Sequence, residues 1–155
     1  MGSSLNRGGD DPLREILHQI LARYLGLQPK GFVLEPGELP KPLVEARILG
    51  AGGARTLYRN RRPECRSLDA VESLTHRGRR CQDCAFKPRC TPQIRLDLSI
   101  ESRPYRLLLA HTSAANFLAY EADLRRRRIL LADVLHRIEV IDRGSWGELR
   151  FRCSS

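Results

Sequence analysis

The sequence predicts a mainly β fold with one helix set among the strands, built either as a small barrel of the oligonucleotide-binding kind or as an open α+β sheet. A four-cysteine insertion interrupts the strands, and an amphipathic helix precedes them. Along 94–101 apolar and polar residues alternate: Ile94, Leu96, Leu98 and Ile100 fall on one side, Arg95, Asp97, Ser99 and Glu101 on the other. That period of two marks a half-buried strand. Four of the five cysteines fall within twenty-six residues. Near the start, Leu13, Ile16, Leu17, Ile20, Leu21 and Tyr24 recur at helical spacing behind Asp11-Pro12, a cap followed by a first-turn proline.

A chain of 155 residues suits one domain with a core and is short for two, so a metal module must be an insertion in a single fold. No stretch approaches the roughly 18 uninterrupted apolar residues of a membrane span, and a soluble protein with no membrane partner is expected. Residues 1–10, with neither the basic start nor the apolar run of a secretory signal, read as a disordered lead-in to a cytoplasmic protein. The helix is placed at 11–28, stopped by Gly26, as an element for docking on a protein partner or for self-association. Residues 29–42 hold four prolines and two glycines and read as an extended linker.

The domain proper is placed at 43–155, with the metal insertion at 62–93. LVEARIL, then Gly50, Gly52 and Gly53, then RTLYRNR, reads as a hairpin around a glycine-rich turn. Beyond the cysteines come the alternating strand and, after a short turn, the continuous apolar run YRLLLAH of a more central one. Thr112 or Ser113 can cap a helix through AANFLAYEADLRRRR, whose terminal arginines suit the negative end of its dipole. Strands near 134–141 and 149–151 flank the turn DRGSWG. Five main strands with an internal helix match the barrel expectation, the surplus segment being part of one long, bent strand.

The chemistry is concentrated in the cysteines. Cys65, Cys81, Cys84 and Cys90 have the spacing C-x15-C-x2-C-x5-C, in which the C-x2-C pair holds one ion through a tight turn and the outer sulfurs complete four-sulfur coordination. Zinc is the expected metal and an iron–sulfur cluster the alternative. Disulfides are disfavoured in a cytosolic chain. Cys153 is left without a role in this scheme.

Charge surrounds the same segment. Between Arg55 and Arg95 lie eleven Arg or Lys against four Asp or Glu, which accounts for seven of the nine net positive charges. Such a concentration suits a polyanion, because neutralising phosphates releases condensed counterions. The candidate nucleic-acid face comprises Arg55, Arg59, Arg61, Arg62, Arg66, Arg79, Arg80, Lys87 and Arg89, with Tyr58 and Phe86 as rings on which bases could stack.

Two resemblances bear on function. CQDCAFKPRC, with one distant cysteine, resembles the iron–sulfur clasp of some RecB-like nucleases; their acidic motif is incomplete here, since Asp97 and Glu101 lack a following Glu-x-Lys. More broadly, residues 62–151 resemble a family of small proteins encoded by phages and mobile elements. In that family a Cys-x-Ser-x-Asp start, a Cys-x-x-Cys knuckle and a Thr-Ser turn opening a Phe-x-x-Tyr helix recur in order. The matching positions are Cys65, Ser67, Asp69, Cys81, Cys84, Cys90, Thr112, Ser113, Phe117 and Tyr120. The family usually has glycine where this chain has Ala70. The resemblance implies genome-associated work, including single-stranded DNA binding, and transfers no catalytic role.

Four cysteines fill a metal shell that catalysis would need open, and neither a phosphate-cradling loop nor a nucleophile beside a histidine is evident. The expectation is therefore a non-enzymatic protein that prefers single-stranded DNA, with an arginine-rich face organised by a structural metal. Two alternatives remain: a zinc-knuckle adaptor in a genome-processing or mobile-element complex, and an iron–sulfur nuclease relative.

Overall fold

The alternating residues dictate the centre of the molecule. Leu96, Leu98 and Ile100 are all buried on β6 (Thr91–Ile100), which lies between β7 (Arg103–Leu109) and β4 (Leu43–Arg59). The computed structural model describes residues 21–74 and 80–154. Its remaining strands are β1 (Arg23–Tyr24), β2 (Gly26–Gln28), β3 (Gly31–Val33), β5 (Arg62–Ser67), β8 (Leu135–Asp142) and β9 (Gly147–Cys153), and α1 spans His111–Arg126. Among the described residues, seven strands form one sheet in the order β1-β7-β6-β4-β8-β9, with β5 also alongside β4.

The protein is mainly β, as its alternation predicts, but the sheet is open. A closed barrel would require its two ends to pair. One end is the two-residue β1, held in parallel to Tyr105 and Arg106; the other, β9, is packed against α1.

β4 corrects the expected hairpin. LVEARIL and the residues after the glycines are one seventeen-residue strand, paired with β6 through the glycine segment itself. The glycines make a bend rather than a turn: the register breaks between Ile48 and Gly50, and a Cβ on Gly52 would lie 3.1 Å from an Arg95 guanidinium nitrogen. On the edge opposite β6, β4 pairs with β8 over Leu43–Arg47 and with β5 over Arg55–Arg59. The hairpin turn comes at Asn60 and Arg61, both left-handed at φ 52° and 65°, as a two-residue turn between antiparallel strands requires. Glu101 and Ser102 repeat this geometry between β6 and β7. Glu101 therefore lies in a turn and not on the strand face with Asp97.

The first elements differ most from expectation. Residues 11–20 of the expected helix, and with them its docking or self-association role, lie outside the described residues. Its last part is extended: β1 joins the main sheet, and β2 forms a hairpin with β3. Tertiary contacts override the helical period here. Leu25 is buried and its N–H donates to the Arg106 carbonyl at 2.8 Å. The expected linker contributes to the core as well, because Phe32 is fully buried and exchanges backbone hydrogen bonds of 2.7 and 2.8 Å with Lys41. At Gly31, with φ 149°, any Cβ would collide with the Lys41 backbone.

α1 covers one end of the sheet. Phe117 meets Phe151 edge-on at 5.4 Å, and Tyr120 stacks on Phe151 at 6.0 Å. The helix is capped at Ala110, two residues before Thr112 and three before Ser113, and has no side-chain cap. Ser113 is instead buried, its hydroxyl accepting from the Leu149 N–H at 3.0 Å. The metal insertion is also shorter than 62–93: β5 and the start of β6 belong to the sheet, leaving 68–90 as the excursion.

Candidate metal centre and nucleic-acid face

The excursion begins at a loop that Asp69 organises. Its carboxylate accepts from the Val71 N–H at 2.8 Å, the Glu72 N–H at 3.0 Å and the Ser67 hydroxyl at 3.0 Å. The Glu72 N–H does most to hold that carboxyl below its usual range, and the Val71 N–H and Ser67 hydroxyl act the same way against the cost of burial. The chain thus turns back on β5, with the Leu74 N–H bonded to the Arg66 carbonyl at 2.9 Å. After the segment outside the described residues, the Cys81 N–H bonds the Val71 carbonyl at 2.7 Å, tying the knuckle to the loop. Two single 3₁₀ turns follow, Cys81–Asp83 and Lys87–Arg89, and each ends at the next cysteine.

This path brings four sulfurs from different parts of the chain to one place. Cys65, on β5 opposite Leu57, joins Cys81, Cys84 and Cys90 around a cavity of about 20 Å³ that Arg55, Ser67, Ser73 and Lys87 also line. That is room for one small ion or a water. The Ser73 hydroxyl lies 3.1 Å from the Cys65 sulfur. Burial pushes the Cys90 thiol up, as do Cys84, Cys65 and Cys81, while Arg55 opposes them. Cys153 sits elsewhere, across from His136 on β9. In donor chemistry the cavity fits a four-sulfur metal. As they stand, however, no three Cys, His, Asp or Glu side chains among the described residues form a group able to hold an ion, so the thiols share a cavity without closing a shell.

The basic residues divide into three sets. Arg55 and Lys87 line the sulfur cavity. Arg59, Arg61 and Arg62 are exposed at the β4–β5 turn, with Arg59 ion-paired to Glu64 at 3.2 Å, and Arg80 and Arg89 are exposed on the knuckle. Arg66 is tied inward instead: its guanidinium lies 4.8 Å from the Tyr24 ring centre, and its Nε donates to the Thr56 hydroxyl at 3.2 Å. Arg79, like His76, lies outside the described residues. Tyr58 and Phe86 are each 42% exposed. The Tyr58 oxygen accepts from the Gln93 amide at 3.2 Å, and the Phe86 carbonyl lies 3.5 Å from the Cys90 sulfur.

Comparison with protein-family models, with curated proteins and with solved structures finds no match. The geometry of the molecule must therefore carry its functional reading. Among the described residues, no helix is long and apolar enough to cross a membrane.

A second concavity has no counterpart in the sequence reading. A groove of about 460 Å³ opens between the end of β4, the end of β7, the first turn of α1 and the β8–β9 turn. Tyr58 and Trp146 both line it, with Leu27, Leu108, Gln93 and His111 among its other walls. The one available signal was the tryptophan in the turn DRGSWG, an apolar ring where a tight turn calls for polar residues. Away from this groove, His136 and Tyr120 are bonded to each other. His136, fully buried, uses one ring nitrogen on the Tyr120 hydroxyl at 2.5 Å and the other on the Leu131 carbonyl at 2.7 Å. Burial pushes the Tyr120 hydroxyl up to about 12.

Proposed function

We propose that this chain binds nucleic acid, single-stranded DNA above all, through the exposed arginines of the β4–β5 turn and the adjoining knuckle, and that a structural metal, zinc, holds the knuckle in shape. One observation carries the reading: four cysteines spread over twenty-six residues line a single cavity at the foot of the hairpin that exposes Arg59, Arg61 and Arg62. Cys65, Cys81, Cys84 and Cys90 would hold the ion, which would supply cross-linking of β5 to the knuckle and no open coordination position. Arg55 and Lys87 line the same cavity, and Arg55 opposes the upward push that burial gives the Cys90 thiol. The kinship to mobile-element proteins belongs to the same proposal.

Arg61 adds a second line of support. At φ 65° it occupies a position where glycine would be the easier residue, and a left-handed non-glycine residue costs about 1–2 kcal/mol. An arginine at the tip of a tight turn presents its guanidinium to a phosphate with little further ordering, which lowers the entropy lost on binding.

The deciding experiment combines elemental analysis of freshly purified, reduced protein with titrations of matched single- and double-stranded DNA and RNA at two salt concentrations. Near-stoichiometric zinc, tighter binding to single-stranded DNA and steep weakening with salt are expected. Iron in place of zinc would identify a cluster. The Arg61→Gly variant should bind more weakly while resisting urea at least as well as the parent, which separates lost contact from lost fold. Absence of binding to all four nucleic acids at low salt would sink the proposal in favour of a protein-interaction adaptor.

A further inference from the structure

We propose that the groove between Tyr58 and Trp146 is a base pocket that takes one unpaired nucleobase from a strand whose phosphates run over the Arg59–Arg62 turn. This inference rests on the nucleic-acid reading above and gives it a site for the single-strand preference, which an arginine surface alone does not supply.

The dimensions suit a ligand of this size. The groove's volume of about 460 Å³ falls within the range of roughly 300–1,000 Å³ typical of small-ligand pockets. Its walls have the chemistry of a base's two faces: Trp146 and Tyr58 are left 44% and 42% exposed, and Leu27 and Leu108 supply aliphatic surface. A base has π faces that stack on such rings and polar edges that need hydrogen-bonding partners.

A polar edge is present and pre-set. The Gln93 side chain is held at both ends, its oxygen accepting from the Thr56 hydroxyl at 2.6 Å and its amide donating to the Tyr58 oxygen at 3.2 Å. Tyr58 accepts in that bond, so its own phenolic proton remains to be donated to a further acceptor, such as a carbonyl or ring nitrogen of a base. His111 lines the same groove with a left-handed backbone at φ 51°.

Charge complementarity selects the occupant. Tyr58 is followed in the chain by the turn bearing Arg59, Arg61 and Arg62, all exposed, within the segment that holds seven of the nine net charges. A ligand that lays a ring in the groove and anions on that turn is a nucleotide within a strand. A base inside a duplex cannot enter, because both of its faces are already stacked.

The sequence contains a single tryptophan, so the intrinsic fluorescence of the unmodified protein reports on this pocket directly. Three probes would be titrated: an end-labelled oligothymidylate, an oligonucleotide of equal length that is abasic throughout, and thymidine monophosphate. Label anisotropy reads binding of the strands, and Trp146 emission reads pocket entry. The inference expects the oligothymidylate to bind and to quench Trp146, the abasic strand to bind through its phosphates without quenching, and Tyr58→Leu to weaken oligothymidylate about 5- to 150-fold while leaving abasic binding unchanged. Equal quenching by the abasic strand, or binding of oligothymidylate without quenching, overturns the base pocket and leaves the arginine surface standing. Quenching by the free nucleotide at the same concentrations overturns the strand assignment in favour of a small-molecule site. If neither strand binds by anisotropy, the nucleic-acid reading fails and this inference fails with it. The wild-type fluorescence contrast needs no variant to fold.

Discussion

At Ala70 the backbone is left-handed, with φ 61°, directly after the carboxylate of Asp69 that bends the loop into the cysteine site. This is the position at which the resembling family usually has glycine. A left-handed alanine costs about 1–2 kcal/mol, and glycine's extra freedom in the unfolded chain takes back about 0.5–1 of that. Ala70→Gly should therefore stabilise the protein by up to about 1 kcal/mol. The check is a rise in the urea midpoint; a fall would contradict the backbone argument.

Glu148 carries a pH dependence of its own. Arg143 at 2.8 and 3.0 Å, Asn116 at 3.0 Å and Arg150 at 3.2 Å all donate to its carboxylate. Arg143 first, then Asn116 and Arg150, lower its pKa from 4.5 to about 2. The folded state thus holds this proton less tightly than the unfolded state. The resulting stability is complete above about pH 4.5 and is lost as pH falls toward 2. Glu148→Gln should lower the melting temperature at pH 7 and flatten its decline between pH 4.5 and 2 relative to the parent. Parallel melting profiles for the two proteins would contradict this.

At the scale of elements, the proline-rich stretch and the glycine-rich strand teach the same lesson. Residues 29–42 have the composition of a linker, yet Phe32 is fully buried among the core residues. Phe32→Ala should cost about 3–5 kcal/mol in chemical denaturation, as a core phenylalanine does, whereas a linker residue would cost almost nothing. Composition could not reveal this, because a single aromatic ring outweighs the prolines around it once the sheet supplies a pocket. In β4 the glycines read as a turn since turns use glycine. Here they admit the side chain of Arg95 and bend an unbroken strand. Asn60 was the better turn signal, but Arg61 beside it hid the pattern.

For the whole molecule, the sheet core and the cysteine cavity are separable. The most deeply buried side chains, among them Ile48, Leu96, Leu98, Ile138 and Leu149, belong to the sheet, whereas the four cysteines that line the cavity are only half buried. Removing a bound metal with a chelator should therefore release the excursion at 68–90 and spare the strands. Hydrogen exchange should show lost protection at the Cys81 and Leu74 amides with β6 and β8 unchanged, and nucleic-acid affinity should fall with the metal. Global unfolding on chelation would show that the metal supports the sheet as well.

The β class, the cluster of four cysteines and the location of the positive charge are legible along the chain, because each depends on local period, spacing or count. Ser67 and Asp69 entered only as matching positions of a resemblance, and their mutual hydrogen bond emerged from the structure. Folding, not local pattern, leaves the sheet open, extends residues 23–28, turns Arg66 inward to Tyr24 and brings Tyr58 into a groove with Trp146, eighty-eight positions away. Those outcomes depend on which distant surfaces meet. Burial of Leu25 and Phe32 against strands far along the chain overrides what their neighbours prefer, and no local pattern records such a pairing.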